Sequence, residues 1–307
     1  MVNVNNLTAI ENVDSKPIGY LTWYTITNVE KTRDELEAHL SVRNFQEFMP
    51  RMISPSDAFR RATAECQRKN VKAASRDVNY NYLMREVYSD NTEIVRHIVI
   101  EENDKKVKSL SYDPDTAILR YDKKADRIDF QARTMMAEEL CNEAVKLFHK
   151  HRVTYNERHI RDVIAEILGN MAPVPVRPSG GVYFVPERYN ERLQPFICLV
   201  NDLGGSEAFK VPLINTMENK DMIRKKIFDY INDTIKNSAD FLKGGKFDKC
   251  QANIKLCEIK KVVNDFNEYH MDLKLSMDDM GDTLELLRQQ GRKILERVVD
   301  ESKPAGE

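Results

Sequence analysis

The spacing of apolar residues changes near residue 133, and this change predicts a strand-rich first part and a helix-rich second part. Before that point, short runs alternate apolar and polar residues, as half-buried antiparallel strands do. Four such runs predict a small antiparallel meander: Glu93–Glu101, Val107–Tyr112, Ala117–Tyr121 and Arg127–Phe130. After residue 133, apolar residues recur every three or four positions, which predicts helices.

Two pairs of residues have the spacing of a capping box and predict helix starts. They are Thr32 with Glu35 and Thr154 with Glu157. In a capping box each side chain bonds the backbone N–H of the other residue, which satisfies donors that the helix leaves open.

Two further patterns set predicted boundaries in the first part. Ser54 precedes a proline that suits the first helical position, and the helix after it is predicted to run to about Lys69. Asp113-Pro114-Asp115 has turn chemistry and is predicted to separate two strands.

From Thr216 the chain is predicted to be helical almost to its end, with a corner at Lys243-Gly-Gly-Lys246. After that corner, apolar residues at heptad spacing predict a coiled-coil seam, and Gly291 is one interruption. Fifty helical residues span about 75 Å. We therefore expect a rod that the preceding helix is too short to cover, with a kink near Asp278–Asp282.

These elements predict an α+β protein with a mixed or antiparallel-sheet head and a C-terminal long helical hairpin that is coiled-coil-like. The predicted divisions are a flexible lead at 1–17, an α+β part with the meander at 18–132, a helix-turn-helix-like and strand-helix-strand part at 133–215, the helical hairpin at 216–300 and a tail at 301–307.

The apolar stripe on the rod favours self-association, because exposed stripes of this size usually mark a partner surface. We therefore expect a homo-oligomer of undetermined copy number. The alternative is that the rod folds back on its own chain and the stripe joins an ordinary core. The predicted oligomerisation residues are Ile259, Phe266, Leu273, Met280, Leu284, Leu287 and Ile294.

Composition excludes some classes of protein. The 47 Lys and Arg residues nearly balance the 49 Asp and Glu residues, which excludes a globally basic nucleic-acid binder but allows a local basic patch. No apolar run approaches the length of a membrane span, and the first residues lack a signal-peptide pattern, so no membrane partner is expected. The five cysteines, at irregular spacing, predict reduced thiols and a cytoplasmic location.

Residues 133–186 have the outline of a winged helix-turn-helix, whose second helix would lie in the DNA major groove. In this hypothesis Arg177 and Gly180-Gly181 belong to a wing that contacts phosphate. The alternative is a helix pair packed on a sheet, with solvated basic residues. The candidate nucleic-acid-binding residues of this segment are Lys150, Arg152, Arg158, Arg161 and Arg177.

A second basic cluster precedes the meander. If its side chains share one face, they can neutralise phosphates without reading sequence. The alternative is a solvated helix face. The candidates are Arg60, Arg61, Arg68 and Lys69.

Signals for catalysis and metal binding are weak. The chain lacks a phosphate-binding loop, a dinucleotide fingerprint, a nucleophile elbow and zinc-ligand spacing, so no catalytic residue, metal ligand or cofactor is predicted. A metal-dependent nuclease built from acids on separate strands, such as Glu101, Asp126 and Asp129, stays open as an alternative.

The strand Gly-Gly-Val-Tyr-Phe-Val-Pro at 180–186 follows a helix with an Arg-x-x-Ile core and precedes a helix and a second strand. This arrangement resembles an uncharacterised family of phage and mobile-element proteins, known as a domain of unknown function. The resemblance covers about residues 130–215 and, more loosely, Gly19–Tyr24. It implies a phage or prophage setting and a non-membrane protein, and it supplies no catalytic residues.

Together these features predict a non-catalytic oligomeric binding protein of phage or prophage type that binds nucleic acid through basic helices. The first alternative is a phage inhibitor that binds a host defence protein complex in the host-cell cytoplasm, without nucleic-acid contact. The second alternative is the metal-dependent nuclease.

Overall fold

The computed structural model describes residues 17–72, 78–104, 110–177, 180–245, 247–273 and 281–301. The helices and antiparallel sheets in these residues confirm the predicted α+β class. The chain forms two compact units. We call residues 1–29, 42–48 and 161–307 the bundle unit, and residues 30–41 and 49–160 the sheet unit. Most of the predicted lead and tail lies outside the described residues.

The elements alternate along the first part of the chain and become mainly helical after residue 216. In the first part they are β1 (Gly19–Ile26), β2 (Lys31–Thr32), α1 (Arg33–Val42), α2 (Pro55–Glu65), β3 (Arg68–Lys72), β4 (Val78–Ser89), β5 (Glu93–Asp104), β6 (Leu110–Asp122), β7 (Arg127–Ala132) and α3 (Met135–His151). They continue with β8 (Thr154–Tyr155), α4 (Glu157–Gly169), β9 (Val174–Pro175), β10 (Val182–Pro186), α5 (Asn190–Asp202), β11 (Ser206–Leu213), α6 (Met217–Lys243), α7 (Lys249–Leu273) and α8 (Gly281–Glu301).

The sheet unit is built on a five-stranded antiparallel sheet in the order β3-β4-β5-β6-β7. Consecutive strands are therefore neighbours, as in the predicted meander. Helices α2 and α3 contribute to one apolar core with this sheet. In that core the ring of Tyr121 lies 5.6 Å from the ring of Phe59 and 5.4 Å from the ring of Phe148, measured between centroids.

The predicted turn at Asp113-Pro114-Asp115 is wrong, because β6 passes through these residues. Ile98 of β5 lies opposite Ala117, whereas Ile100 lies opposite Asp113, so the register shifts between them. Extra residues in one strand form a bulge, which tolerates the missing N–H of proline. Turn chemistry in the sequence therefore marks a bulge inside one long strand.

Two of the predicted helix caps are confirmed. Thr32 N donates to Glu35 Oε2 at 2.8 Å and Glu35 N donates to Thr32 Oγ1 at 3.3 Å, so this capping box forms as expected. Asp57 N donates to Ser54 Oγ at 3.1 Å, which caps α2.

Two other boundaries differ from the prediction. Thr154 does not cap α4, because the helix begins at Glu157 and Thr154 lies in strand β8. The cap is Asn156, whose Oδ1 accepts from His159 N at 3.2 Å. Helix α2 ends at Glu65 rather than Lys69, because the chain then pairs with β4 as strand β3.

The bundle unit contains a four-stranded antiparallel sheet in the order β11-β1-β10-β9. The predicted strand after Gly180-Gly181 is β10, and it pairs with β1 on one side and with β9 on the other. Trp23, the only tryptophan of the chain, stacks on Phe209 with ring centroids 5.6 Å apart. Trp23 therefore reports on the folding of this unit.

Helices α6, α7 and α8 form a three-helix bundle in which each helix contacts the other two. The predicted single rod is wrong: α7 ends at Leu273, α8 begins at Gly281, and α8 packs on both α6 and α7. Folding back is favoured because each fully buried leucine or isoleucine stabilises the fold by about 1.5–3 kcal/mol. An extended rod would leave those side chains in water.

Candidate docking surface on the helical bundle

An apolar groove with a volume of about 250 Å³ lies between α7 and α8. Its residues from α7 and α8 fall at helical spacing, so the groove follows the line where the two helices meet. Leu295 on its wall is 48% exposed, which is high for a leucine beside a core. The apolar lining residues are Leu256, Ile259, Val263, Gly291 and Leu295.

Gly291 is buried on the α8 side of this groove. It lies in the interior of α8, where glycine costs about 1 kcal/mol relative to alanine. A Cβ atom at this position would lie 3.6 Å from Ile259 Cγ2 and 3.9 Å from Leu256 Cδ2, which are ordinary van der Waals distances. The packing of α7 on α8 therefore has room for a methyl group at this position.

The polar rim of the groove is mainly cationic. It carries Lys260, Arg288 and Arg292, together with Asn264. Glu285 lies 3.7 Å from Arg288 and 3.5 Å from Arg292, so one carboxylate serves two guanidinium groups. Exposed pairs at such distances contribute little, about 0–1 kcal/mol. Three cations beside one carboxylate leave the rim with a positive charge.

A polar cleft of about 660 Å³ lies on the other side of the α7 surface, toward the end of α4. Lys260 and Asn264 line both the cleft and the groove, so these two residues form a ridge between them. In the cleft, Lys261 Nζ and Asp265 Oδ2 pair at 2.7 Å. The other lining residues are Ala165, Glu166, Gly169, Asn170, Tyr189 and Cys257. Groove and cleft together form what we call the docking surface.

Most of the basic residues predicted to bind nucleic acid are engaged by acidic residues of the same chain. The pairs are Arg60 with Glu86 at 3.0 Å, Arg61 with Glu30 at 3.4 Å, Arg68 with Glu143 at 2.6 Å, Lys150 with Glu30 at 2.6 Å and Arg152 with Asp126 at 2.7 Å. The hydrogen bond that Arg60 donates lowers the pKa of the Glu86 carboxyl, and the hydrogen bond that Arg68 donates to Glu143 raises the pKa of Arg68. These five cations are thus largely neutralised for a phosphate ligand.

The remaining four candidates do not share one ion-pair network. Arg161 donates to the backbone carbonyl of Ile26 at 2.8 Å. Arg158, Lys69 and Arg177 have exposed side chains. The predicted wing strand β10 is paired along both edges, so it is an interior strand of its sheet. Nucleic-acid binding by these residues stays a prediction.

The predicted oligomerisation residues are buried by their own chain where their side chains are described. Their exposed fractions are 4% for Ile259, 1% for Phe266, 2% for Leu284 and 0% for both Leu287 and Ile294. The side chain of Leu273 and all of Met280 lie outside the described residues. The five side chains that are described therefore pack within their own chain. Self-association, and a role of these residues in it, stays a prediction.

The acids proposed for a nuclease centre lie beside cations. Arg127 pairs with Asp129 at 2.8 Å, and Arg85 pairs with Glu101 at 3.8 Å. Asp126 accepts hydrogen bonds from Tyr121 and Arg152, and both lower its pKa. Among the described residues, no three His, Cys, Asp or Glu side chains are placed to hold one metal ion.

A family model of unknown function, DUF6744, matches residues 17–301. The chain belongs to the DUF6744 family. This match confirms the predicted membership in a family of unknown function and covers both units. No curated protein and no solved structure matches the chain. In the part of the chain that the structure describes, no helix has both the length and the apolar character that a membrane crossing requires.

The sequence analysis did not identify the rim of the groove. Lys260, Arg288 and Arg292 lie outside the apolar seam, where charged residues usually mean only a solvated helix face. One signal was present in the sequence. Gly291 interrupts the apolar residues of the seam, where a helix pair normally has a large side chain. The structural consequence of this glycine depends on how α8 packs against α7, which heptad spacing alone does not define.

Proposed function

We propose that this protein is a non-catalytic protein-binding protein, and that a partner docks on the groove between α7 and α8. The observation that carries the proposal is the apolar groove that Gly291 lines, with Lys260, Arg288 and Arg292 at its rim. A groove between helices accepts the apolar face of another helix in a common mode of recognition.

The size of the groove supports an anchor side chain rather than a whole small molecule. Pockets for drug-sized ligands have volumes of about 300–1,000 Å³, above the 250 Å³ of the groove. The neighbouring cleft is larger, and six of its ten lining residues carry a charged or amide side chain. The cleft suits the polar flank of a bound chain.

The proposal corresponds to the protein-binding alternative of the sequence analysis rather than to the nucleic-acid hypothesis. Phosphate binding requires free cations, and five of the nine candidate cations are paired with carboxylates. The phage setting remains a prediction from the resemblance, and the host defence partner remains the first alternative of the sequence analysis.

The test compares three full-length variants in affinity capture from the cells that produce the protein, followed by titration of the purified partner. Gly291→Leu fills the groove and Leu295→Ala removes part of its wall. Leu286→Ala is the matched control, because Leu286 is 47% exposed on the same helix but does not line the groove.

We expect one partner to bind the wild type and the Leu286→Ala variant with similar affinity. Gly291→Leu should lose that partner and Leu295→Ala should bind it more weakly. Partner binding that is unchanged in the Gly291→Leu variant, or no retained partner at all, contradicts the proposal.

A further inference from the structure

We infer that the segment bound by the docking surface is an amphipathic helix of a different protein, with an apolar stripe and acidic residues beside that stripe. This inference rests on the proposed function and names the chemistry of its partner. Two observations carry it: the sign of the charge around the groove and the continuity of the groove with the polar cleft.

The rim favours carboxylates in the ligand. Lys260, Arg288 and Arg292 surround an apolar floor, and Glu285 is the one carboxylate that pairs with Arg288 and Arg292 in the described residues. A ligand carboxylate within about 4 Å of Lys260, or between the two arginines, gains attraction without displacing a strong ion pair. A ligand with lysines at the same places would bring positive charges next to the positive rim. This repulsion selects against wrong partners.

The rim disfavours a second copy of this chain as the occupant. If two copies joined groove to groove, the three cations of one rim would face the three cations of the other. A symmetric interface places the same patch on both subunits, so this repulsion would be present in every such dimer.

The ridge between groove and cleft sets the path of the ligand. Lys260 and Asn264 project from α7 between the apolar groove and the polar cleft. A helix that buries its apolar stripe in the groove therefore places one polar flank over this ridge. Beyond the ridge the cleft offers Lys261, whose ammonium is shared with Asp265, and the amides of Asn170 and Asn264.

The test uses three fluorescein-labelled helical peptides of about 16 residues with the same leucine stripe at helical spacing. Their flanking positions carry glutamate, glutamine or lysine. Fluorescence anisotropy measures their affinity for the full chain at about 50 mM and about 300 mM NaCl, because screening weakens exposed ion pairs over this range.

The variant Arg288→Glu with Arg292→Glu reverses the rim. Its matched control is Lys225→Glu with Lys236→Glu, which changes the net charge equally on exposed positions of α6 that do not line the docking surface. Gly291→Leu is the groove control, and sedimentation measures the mass of each chain.

We expect the glutamate peptide to bind about tenfold more tightly than the glutamine peptide at low salt, and the lysine peptide to bind most weakly. Reversing the rim should invert this order, whereas the α6 control should not. Gly291→Leu should weaken all three peptides.

Each of the other possible results contradicts either the acidic-ligand inference or the groove proposal. Equal binding of the three peptides, still lost in Gly291→Leu, overturns the acidic-ligand inference and leaves the groove proposal standing. Peptide binding that Gly291→Leu does not weaken, or no binding of any peptide, contradicts the groove itself. A wild-type dimer that Gly291→Leu converts to a monomer shows that a second copy occupies the groove and overturns the inference.

Discussion

Replacing Gly291 with alanine should stabilise the bundle unit. Alanine is favoured over glycine in a helix interior by about 0.8–1 kcal/mol. The added methyl group would lie 3.6 Å from Ile259 and 3.9 Å from Leu256, so it gains contacts without a clash. Burial of one carbon contributes up to about 0.8 kcal/mol more. The expected increase in the free energy of unfolding is therefore about 1–2 kcal/mol.

Urea unfolding followed by Trp23 fluorescence measures this change, because the single tryptophan lies in the bundle unit. With a urea dependence of about 2 kcal/mol per M, the midpoint should rise by about 0.5–1 M. Gly281→Ala is the control, since no residue that the structure describes lies within 4 Å of a Cβ at that position. It should shift the midpoint less. A Gly291→Ala midpoint that is unchanged or lower would refute the room for a methyl group at Gly291.

Three other perturbations test different parts of the structure. Burial lowers the pKa of His151, and so does the nearby charge of Arg61. Below pH 6.5 the unfolded chain therefore binds a proton at this residue more readily than the folded chain does. The free energy of unfolding should therefore fall as the pH drops below 6.5. Urea unfolding at a series of pH values should show a weaker pH dependence for His151→Gln and an unchanged one for the exposed His149→Gln. Arg158→Glu should change the free energy of unfolding by less than about 0.5 kcal/mol. If fluorescence polarisation at low salt shows that this variant binds DNA as well as the wild type, Arg158 has no part in DNA binding. Leu287→Asp should abolish the cooperative Trp23 transition, because it buries an unpaired charge in a fully buried position. A folded Leu287→Asp chain of reduced mass in light scattering would instead mean that Leu287 holds an oligomer together.

Local signals in the sequence predicted much of the secondary structure. The Thr32–Glu35 capping box and the Ser54 cap form as expected, because each depends on side chains only three residues apart. The strand after Gly180-Gly181 also forms, and these glycines have positive φ angles of 107° and 63°, which glycine adopts readily. Such features depend on short-range chemistry that a sequence displays directly.

The errors arise where distant residues decide between local options. Asp113-Pro114-Asp115 has the chemistry of a turn, yet pairing with β5 converts it into a bulge. Thr154 and Glu157 have capping-box spacing, but Asn156 lies nearer the first turn and its side chain takes that role. In both places a neighbouring element or residue competes for the same backbone groups.

The packing of helices α6, α7 and α8 also depends on residues far apart in the sequence. Heptad spacing selects apolar residues that are buried where their side chains are described, but it does not define which helix covers them. Helix α8 returns onto α6 and α7, so Leu287 and Ile294 are buried within one chain. The groove beside Gly291 is a product of that return. The candidate site could therefore be described only after the packing of α7 against α8 was known.

The most direct test of the docking surface is a methyl NMR titration of the full chain with the glutamate-flanked peptide. The reporters are Leu256, Ile259, Val263 and Leu295, whose methyl groups line the groove. We predict that their signals shift together and saturate, while methyl signals of the sheet unit stay in place. Shifts confined to the sheet unit, or groove signals that stay unchanged at saturating peptide, would contradict the account.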